Sequence, residues 1–84
     1  MYGVVDVVNV GQYEFVETFY LAPSLTDFWT DDLLGWPLAP GGIATLGSIE
    51  EDWYDAEADL EFGDYVTWFD VFVPYAEVTT FEVW

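Results

Sequence analysis

The sequence predicts an α+β fold, with a small antiparallel sheet built from N- and C-terminal β-hairpins and one or two short helices packed on it. Three observations lead to this prediction. Both ends of the 84-residue chain are rich in β-branched and aromatic residues, the middle carries helix-capping signals, and 54% of all residues are hydrophobic. A disordered acidic tail would have fewer aromatic residues than the 21% found here. The length fits a single domain, residues 1–84, with one modest core.

The N-terminal hairpin is predicted from two short β-rich runs. Residues 4–10 (VVDVVNV) and 13–21 (YEFVETFYL) are separated by Gly11 and Gln12. A glycine followed by one other residue suits a tight two-residue turn, so we expect the two runs to pair with each other.

The C-terminal pair is predicted from residues 65–73 (YVTWFDVFV) and the run from Tyr75 to Trp84, which are divided by Pro74. Both faces of the first run carry apolar side chains. We therefore expect one strand of this pair to lie inside the sheet, covered on both faces.

The middle of the chain predicts a first helix. Ser24 or Thr26 is a suitable N-cap, Asp27 falls in the first turn where the helix dipole favours it, and Gly35 ends the segment. The composition of residues 36–42 (WPLAPGG) indicates a loop, and residues 43–46 (IATL) could form a short strand.

The acidic segment, residues 50–64 (EEDWYDAEADLEFGD), contains eight of the 17 acidic residues and fits two geometries. As a strand, residues 54–62 alternate between apolar and acidic side chains. As a helix, Ser48 and Glu51 form a capping box and Gly63 suits the C-terminal cap. The helix also has an apolar stripe, formed by Ile49, Trp53, Ala56 and Leu60. We favour the helix for residues 49–62, because Ala, Glu and Leu are good helix formers, although like charges four residues apart would repel.

Charge excludes several classes of function. The chain has no Lys, Arg or His and a formal net charge of -17, so nothing can neutralise the phosphates of DNA or RNA. Anionic membrane surfaces are excluded for the same reason, whereas basic proteins are attracted. The first residues do not have the pattern of a signal peptide, and no run of about 18 apolar residues occurs, so we expect a cytoplasmic protein, in the host cytoplasm if it is viral.

Catalysis, cofactors and metals have little support. Without His, Cys or Lys the chain lacks the common nucleophile–base pairs and a Schiff-base lysine. Paired carboxylates could in principle hydrolyse a glycoside, but an 84-residue core can hardly form the deep cleft that a sugar needs. Gly41 and Gly42 match no nucleotide-binding motif, and the EF-hand spacing of calcium ligands is absent. We therefore expect no enzyme, no catalytic residues, no cofactor and no specific metal site.

The acidic segment is the predicted binding site for a basic protein. Trp53 and Tyr54 are the aromatic residues within it that could anchor an interface, although Trp53 could equally attach the segment to the core. The predicted partner-binding residues are Glu50, Glu51, Asp52, Trp53, Tyr54, Asp55, Glu57, Asp59, Glu61 and Asp64.

Three functions fit this pattern. The first is a nucleic-acid mimic that inhibits a DNA- or RNA-handling protein by occupying its basic groove. In size and charge the chain is similar to the small DNA-mimic inhibitors of bacteriophages, such as the anti-restriction proteins, a likeness of composition that assigns no role to any residue. The second is an immunity protein or antitoxin against a basic nuclease or toxin. The third is a structural or assembly subunit of an acid- or salt-adapted virus or filament; a homodimer is possible in each case.

Overall fold

The computed structural model describes all 84 residues and contains six β-strands in two three-stranded sheets. Sheet A has the order β3-β1-β6 and sheet B the order β2-β4-β5. The strands are β1 (Tyr2–Asn9), β2 (Val16–Pro23), β3 (Ile43–Glu50), β4 (Asp52–Leu60), β5 (Tyr65–Val73) and β6 (Val78–Val83). The predicted α+β class is wrong, because the chain forms no helix. It follows that no helix is present that could span a membrane.

Neither predicted hairpin forms, because the chain changes sheet at both places. β1 and β2 lie in different sheets, and so do β5 and β6; β1 pairs antiparallel with β3 and parallel with β6. At the N-terminal connection, the buried Asn9 amide donates to the carbonyls of Glu14 and Leu38 at 2.8 and 2.9 Å, and its Oδ1 accepts the Gly11 N–H. These hydrogen bonds fold residues 10–15 around Asn9, so the tight turn at Gly11 and Gln12 does not form.

At the C-terminal connection, Pro74 ends β5 and the chain then joins the edge of β1. The Ala76 N–H donates to the Tyr2 carbonyl, and the Val4 N–H donates to the Glu77 carbonyl at 2.9 Å. β5 is an edge strand of sheet B, and Tyr65 and Phe69 on it are 67% and 71% exposed, so the prediction of a strand inside the sheet and covered on both faces is wrong for β5. β6 is likewise an edge strand, but of sheet A, so neither strand of this pair lies inside a sheet.

The acidic segment forms strand β4 and the turn after it, so the favoured helix over residues 49–62 is wrong and the strand alternative is confirmed. Tyr54, Ala56, Ala58 and Leu60 point into the core. Ala58 lies opposite Phe19 on β2, and Ala56 lies opposite Trp68 on β5. The small alanines leave room for these large neighbours, and the strand pairs on both edges, which a helix at this place could not do. Gly63, with φ of 96°, belongs to the β4–β5 turn instead of a helix cap.

The other predicted helix, over residues 24–35, is also absent, and this segment runs along the edge of β2. Thr30 donates its N–H to the Leu21 carbonyl at 2.9 Å and accepts the Leu21 N–H on its hydroxyl at 3.1 Å. The Phe19 N–H donates to the Asp32 carboxylate at 3.0 Å. Polar side chains of types that also cap helices here bond the backbone of β2, and the segment thereby covers an exposed sheet edge. The predicted loop over residues 36–42 and the strand beginning at Ile43 are confirmed.

The core lies between the two sheets. Phe19 and Trp68 of sheet B and Phe81 of sheet A form an aromatic cluster with ring centroids 5.1 to 6.2 Å apart. Two other phenylalanines within the β-rich runs, Phe15 and Phe72, are exposed at 38% and 40%. Thirteen aromatic residues are exposed in all, far more than the core could include. β3 leads into β4 with only Glu51 between them, so one extended chain crosses from sheet A to sheet B.

Candidate functional site

The outer face of sheet B carries a line of three carboxylates, Asp55, Glu57 and Asp59, which we call the carboxylate row. They alternate with the core residues of β4, the central strand of that sheet, and all three are half-buried. Residues two apart on a strand are about 6.6 Å apart. The period of two that buries the alanines of β4 therefore also aligns these acids on the opposite face.

Hydroxyl-bearing and aromatic side chains flank the carboxylate row on both sides. On β2, Thr18 lies opposite Asp59 and Tyr20 opposite Glu57; on β5, Tyr65 and Thr67 lie opposite the same two acids. The Thr18 hydroxyl donates to Asp59 Oδ2 at 3.1 Å. These neighbours are uncharged, so they do not neutralise the carboxylates.

Asp55 accepts hydrogen bonds from both flanks of β4, one from the segment that follows β2 and one from β5. Its Oδ1 accepts a hydrogen bond from the Ser24 hydroxyl at 3.2 Å and another from the Asp70 N–H at 3.1 Å. Asp70 has φ of 54° and lies where the register of β4 and β5 shifts, between Tyr54 and Ala56. The bulge thus turns a backbone donor toward the end of the row.

The electrostatic effect of the row is visible at Glu57. Burial raises the pKa of Glu57, and so do a hydrogen bond to Asp59 and the negative charge of Asp59. The chain contains no Lys, Arg or His side chain that could offset this repulsion. A cation brought by another molecule would favour the ionised form of Glu57 and lower its pKa again.

A groove of about 400 Å³ opens beside the row. Tyr20, Trp29, Thr30, Glu57 and Asp59 line it, and Trp29 is 45% exposed. Tyr20, Trp29 and Thr30 are not among the predicted partner-binding residues, and Trp29 and Thr30 fall within the predicted helix over residues 24–35. Only the position of residues 24–35 along β2 brings the indole next to the carboxylates, and no local pattern signals it.

The ten predicted site residues do not form one patch. Four of them lie at the crossing from β3 to β4 and in the first two residues of β4, and two lie in the turn between β4 and β5. Because β4 has nine residues, its ends are about 26 Å apart. The first four are Glu50, Glu51, Asp52 and Trp53; the last two are Glu61 and Asp64.

The two ends of the segment are attached differently. Trp53 is exposed and its ring contacts Phe72, with 5.0 Å between centroids. Glu61 accepts the Phe15 N–H at 3.2 Å, which ties the β4–β5 turn to the start of β2. Tyr54 points into the core and donates its hydroxyl to the Glu50 carbonyl at 2.6 Å; burial and the charges of Asp52 and Glu50 raise its pKa. The ring of Tyr54 is therefore buried and is not part of the surface that a partner could contact.

The acids of this surface are arranged in a line and do not converge. No group of three or more acidic side chains has the geometry of a metal site. The surface combines negative charge with exposed aromatic rings, which is chemistry suited to binding a basic protein surface. Comparison of the chain with protein-family models, with curated proteins and with solved structures gives no match.

Proposed function

We propose that the protein is an acidic nucleic-acid mimic, a phage-type inhibitor that acts in the cytoplasm by occupying the basic groove of a DNA- or RNA-handling protein. The observation that carries the proposal is the carboxylate row on the central strand of sheet B, flanked by exposed aromatic and hydroxyl groups and without any cationic side chain in the chain. Proteins that bind DNA or RNA line their grooves with Lys and Arg, which neutralise the phosphates of the nucleic acid.

The spacing of the row supports this proposal. Carboxylates about 6.6 Å apart along a strand allow neighbouring basic side chains to contact one carboxylate each. Further acids lie near both ends of β4, which are about 26 Å apart, so negative charge is present on either side of the row. An internal Lys or Arg would pair with these acids and repel the partner, so the absence of both residues fits this role.

An immunity protein or antitoxin would use the same surface against a dedicated basic toxin. The two functions differ in the partner, because a mimic competes with nucleic acid for a binding groove. Competition with duplex DNA therefore distinguishes a mimic from an immunity protein that binds elsewhere on its toxin.

The outer face of sheet A favours a second candidate, a self-assembling subunit. This face is mostly β-branched, with Val4, Val8, Ile43 and Val78 pointing outward, and the last two are 62% and 59% exposed. One carboxylate oxygen of Asp6 is buried on this face without a hydrogen-bond partner. A subunit of this kind would form large assemblies alone at acidic pH, whereas a mimic would remain a monomer or a dimer; light scattering separates the two.

The proposed function is tested by capture and competition. The immobilised protein is incubated with host extract in low salt, and bound proteins are eluted with duplex DNA. We expect a basic nucleic-acid-binding protein that DNA releases and whose DNA binding the purified chain inhibits. Retention of every captured protein in the presence of excess duplex DNA would contradict the proposal.

The carboxylate row is tested with two variants of equal net charge. One combines Asp55→Asn, Glu57→Gln and Asp59→Asn. The control combines Glu17→Gln, Glu77→Gln and Glu82→Gln, three exposed acids that make no side-chain hydrogen bond. We expect the first variant to lose inhibition by about tenfold or more and the control to lose much less. Equal losses would mean that net charge acts without a defined site.

A further inference from the structure

We propose that the groove beside the carboxylate row receives an arginine side chain of the partner. This inference rests on the proposed function, since it names the side chain through which the partner's basic surface would be held. The groove volume of about 400 Å³ lies in the range of sites that enclose a small ligand, and it is open to solvent on the outer face of sheet B.

The carboxylates favour a guanidinium group. Glu57 and Asp59 are neighbours on the same face of β4, and Thr18 occupies only Oδ2 of Asp59. The planar guanidinium carries five N–H donors and can bond two carboxylates at once. An ammonium group is a compact and more strongly hydrated charge, so it gains less from this pair of acids.

The aromatic wall favours the same group. Trp29 and Tyr20 line the groove together with the two acids, and a guanidinium stacks on an aromatic ring while its edge remains available for hydrogen bonds. Thr30 is held by its two hydrogen bonds with Leu21, which fixes the segment that carries Trp29 against β2. Negative charge and an exposed indole thus converge on one groove.

Protonation of Glu57 should oppose this binding. Burial, the hydrogen bond to Asp59 and the charge of Asp59 all raise the pKa of Glu57, because each favours its protonated form. A bound guanidinium favours the ionised carboxylate, and binding therefore strengthens as pH rises through the pKa of Glu57. This pH dependence is a second readout, beyond affinity, for an effect at Glu57.

The test uses N-acetyl-arginine amide as the probe and the indole N–H signals in nuclear magnetic resonance spectra of the intact protein. The Trp29 signal is assigned from the Trp29→Phe variant, and the corresponding lysine and citrulline amides serve as charged and neutral controls. We expect the arginine compound to move the Trp29 signal in a saturable way, with several-fold weaker binding of the lysine compound and none of the citrulline compound. A Trp29 signal that stays in place, or equal affinity for arginine and lysine, would overturn the inference.

Variants locate the effect within the groove. Glu57→Gln with Asp59→Asn should weaken arginine binding about tenfold or more, whereas Glu77→Gln with Glu82→Gln should leave it within about twofold. Equal weakening by both pairs would also overturn the inference. Its failure is distinguishable from failure of the proposed function: release of a captured protein by duplex DNA tests the mimic alone, and the arginine titration contains no partner.

Discussion

The ring of Phe81 meets the indole of Trp68 edge-on across the sandwich, with 5.1 Å between the centroids and an interplanar angle of 79°. Phe81 belongs to sheet A and Trp68 to sheet B, so this contact joins the two sheets. Phe19 completes the cluster at 5.3 Å from Phe81. Phe81 is the largest buried side chain that sheet A contributes to the core.

Phe81→Ala should therefore destabilise the protein strongly. We expect a loss of about 3–5 kcal/mol in the free energy of unfolding, from lost burial and from the cavity left between the sheets. Denaturant titration followed by far-ultraviolet circular dichroism measures it. The matched control is Phe69→Ala, at a position that is 71% exposed, where we expect a loss below about 1 kcal/mol. Similar losses at the two positions would show that Phe81 does not hold the sheets together.

Gly3 offers a second matched test, because β1 passes close to the connection after β5. A Cβ on Gly3 would collide with the backbone carbonyl of Pro74, whereas a Cβ on Gly47 would meet nothing within 4 Å. We expect Gly3→Ala to cost about 1–3 kcal/mol of stability and Gly47→Ala to change little. Denaturant titration of both variants measures the change in the midpoint of unfolding. An unchanged midpoint for Gly3→Ala would contradict the close contact between β1 and the Pro74 carbonyl.

The stability of the fold should fall as pH rises. The pKa of Glu57 is raised above its ordinary value of 4.5, which means that the folded state holds more protons than the unfolded chain in the window above that value. The stabilisation of the folded state is then present below pH 4.5 and is lost as pH rises through the folded-state pKa. Thermal melts at about pH 5 and about pH 8 should show the higher midpoint at the lower pH, and added salt should raise the midpoint at pH 8.

The variant Glu57→Gln provides the control for this pH dependence. Glutamine keeps the shape of the side chain and removes its titration, so the difference between the two melting midpoints should become smaller. A higher midpoint at the higher pH in low salt would show that the acids are satisfied within the protein, for example by a bound cation.

Association with a basic partner should depend steeply on ionic strength. Attraction between a chain of net charge -17 and a basic groove accelerates encounter, and salt screens that attraction. We expect the association rate constant to fall at least tenfold between about 50 mM and about 500 mM NaCl, with a smaller change in the dissociation rate constant. Stopped-flow measurement with the captured partner tests this, and an almost constant association rate would remove electrostatic mimicry from consideration.

Several elements were predictable from local patterns. The β-branched and aromatic runs are strands, residues 36–42 are a loop, and the alternation over residues 54–62 made a strand one of the two options for β4. The choice between helix and strand was not local, because single-residue propensities differ by only tenths of a kcal/mol. The strand is favoured because Ala56 lies opposite Leu21 and Trp68. Ala58 lies opposite Phe19 in the same way, and the small alanine side chains leave room for these large neighbours, which are distant in the sequence.

Composition alone determined the net charge of the protein and the absence of any Lys, Arg or His side chain that could neutralise a phosphate, since neither property depends on where a residue lies. The tertiary structure decided the strand order and the groove. Asn9 turns β1 away from β2 through hydrogen bonds that reach Leu38, and the path of residues 24–35 along β2 brings Trp29 beside Glu57. Such arrangements depend on the burial and hydrogen bonding of groups far apart in the chain, and these outweigh the weak local preference for a hairpin turn or a helix.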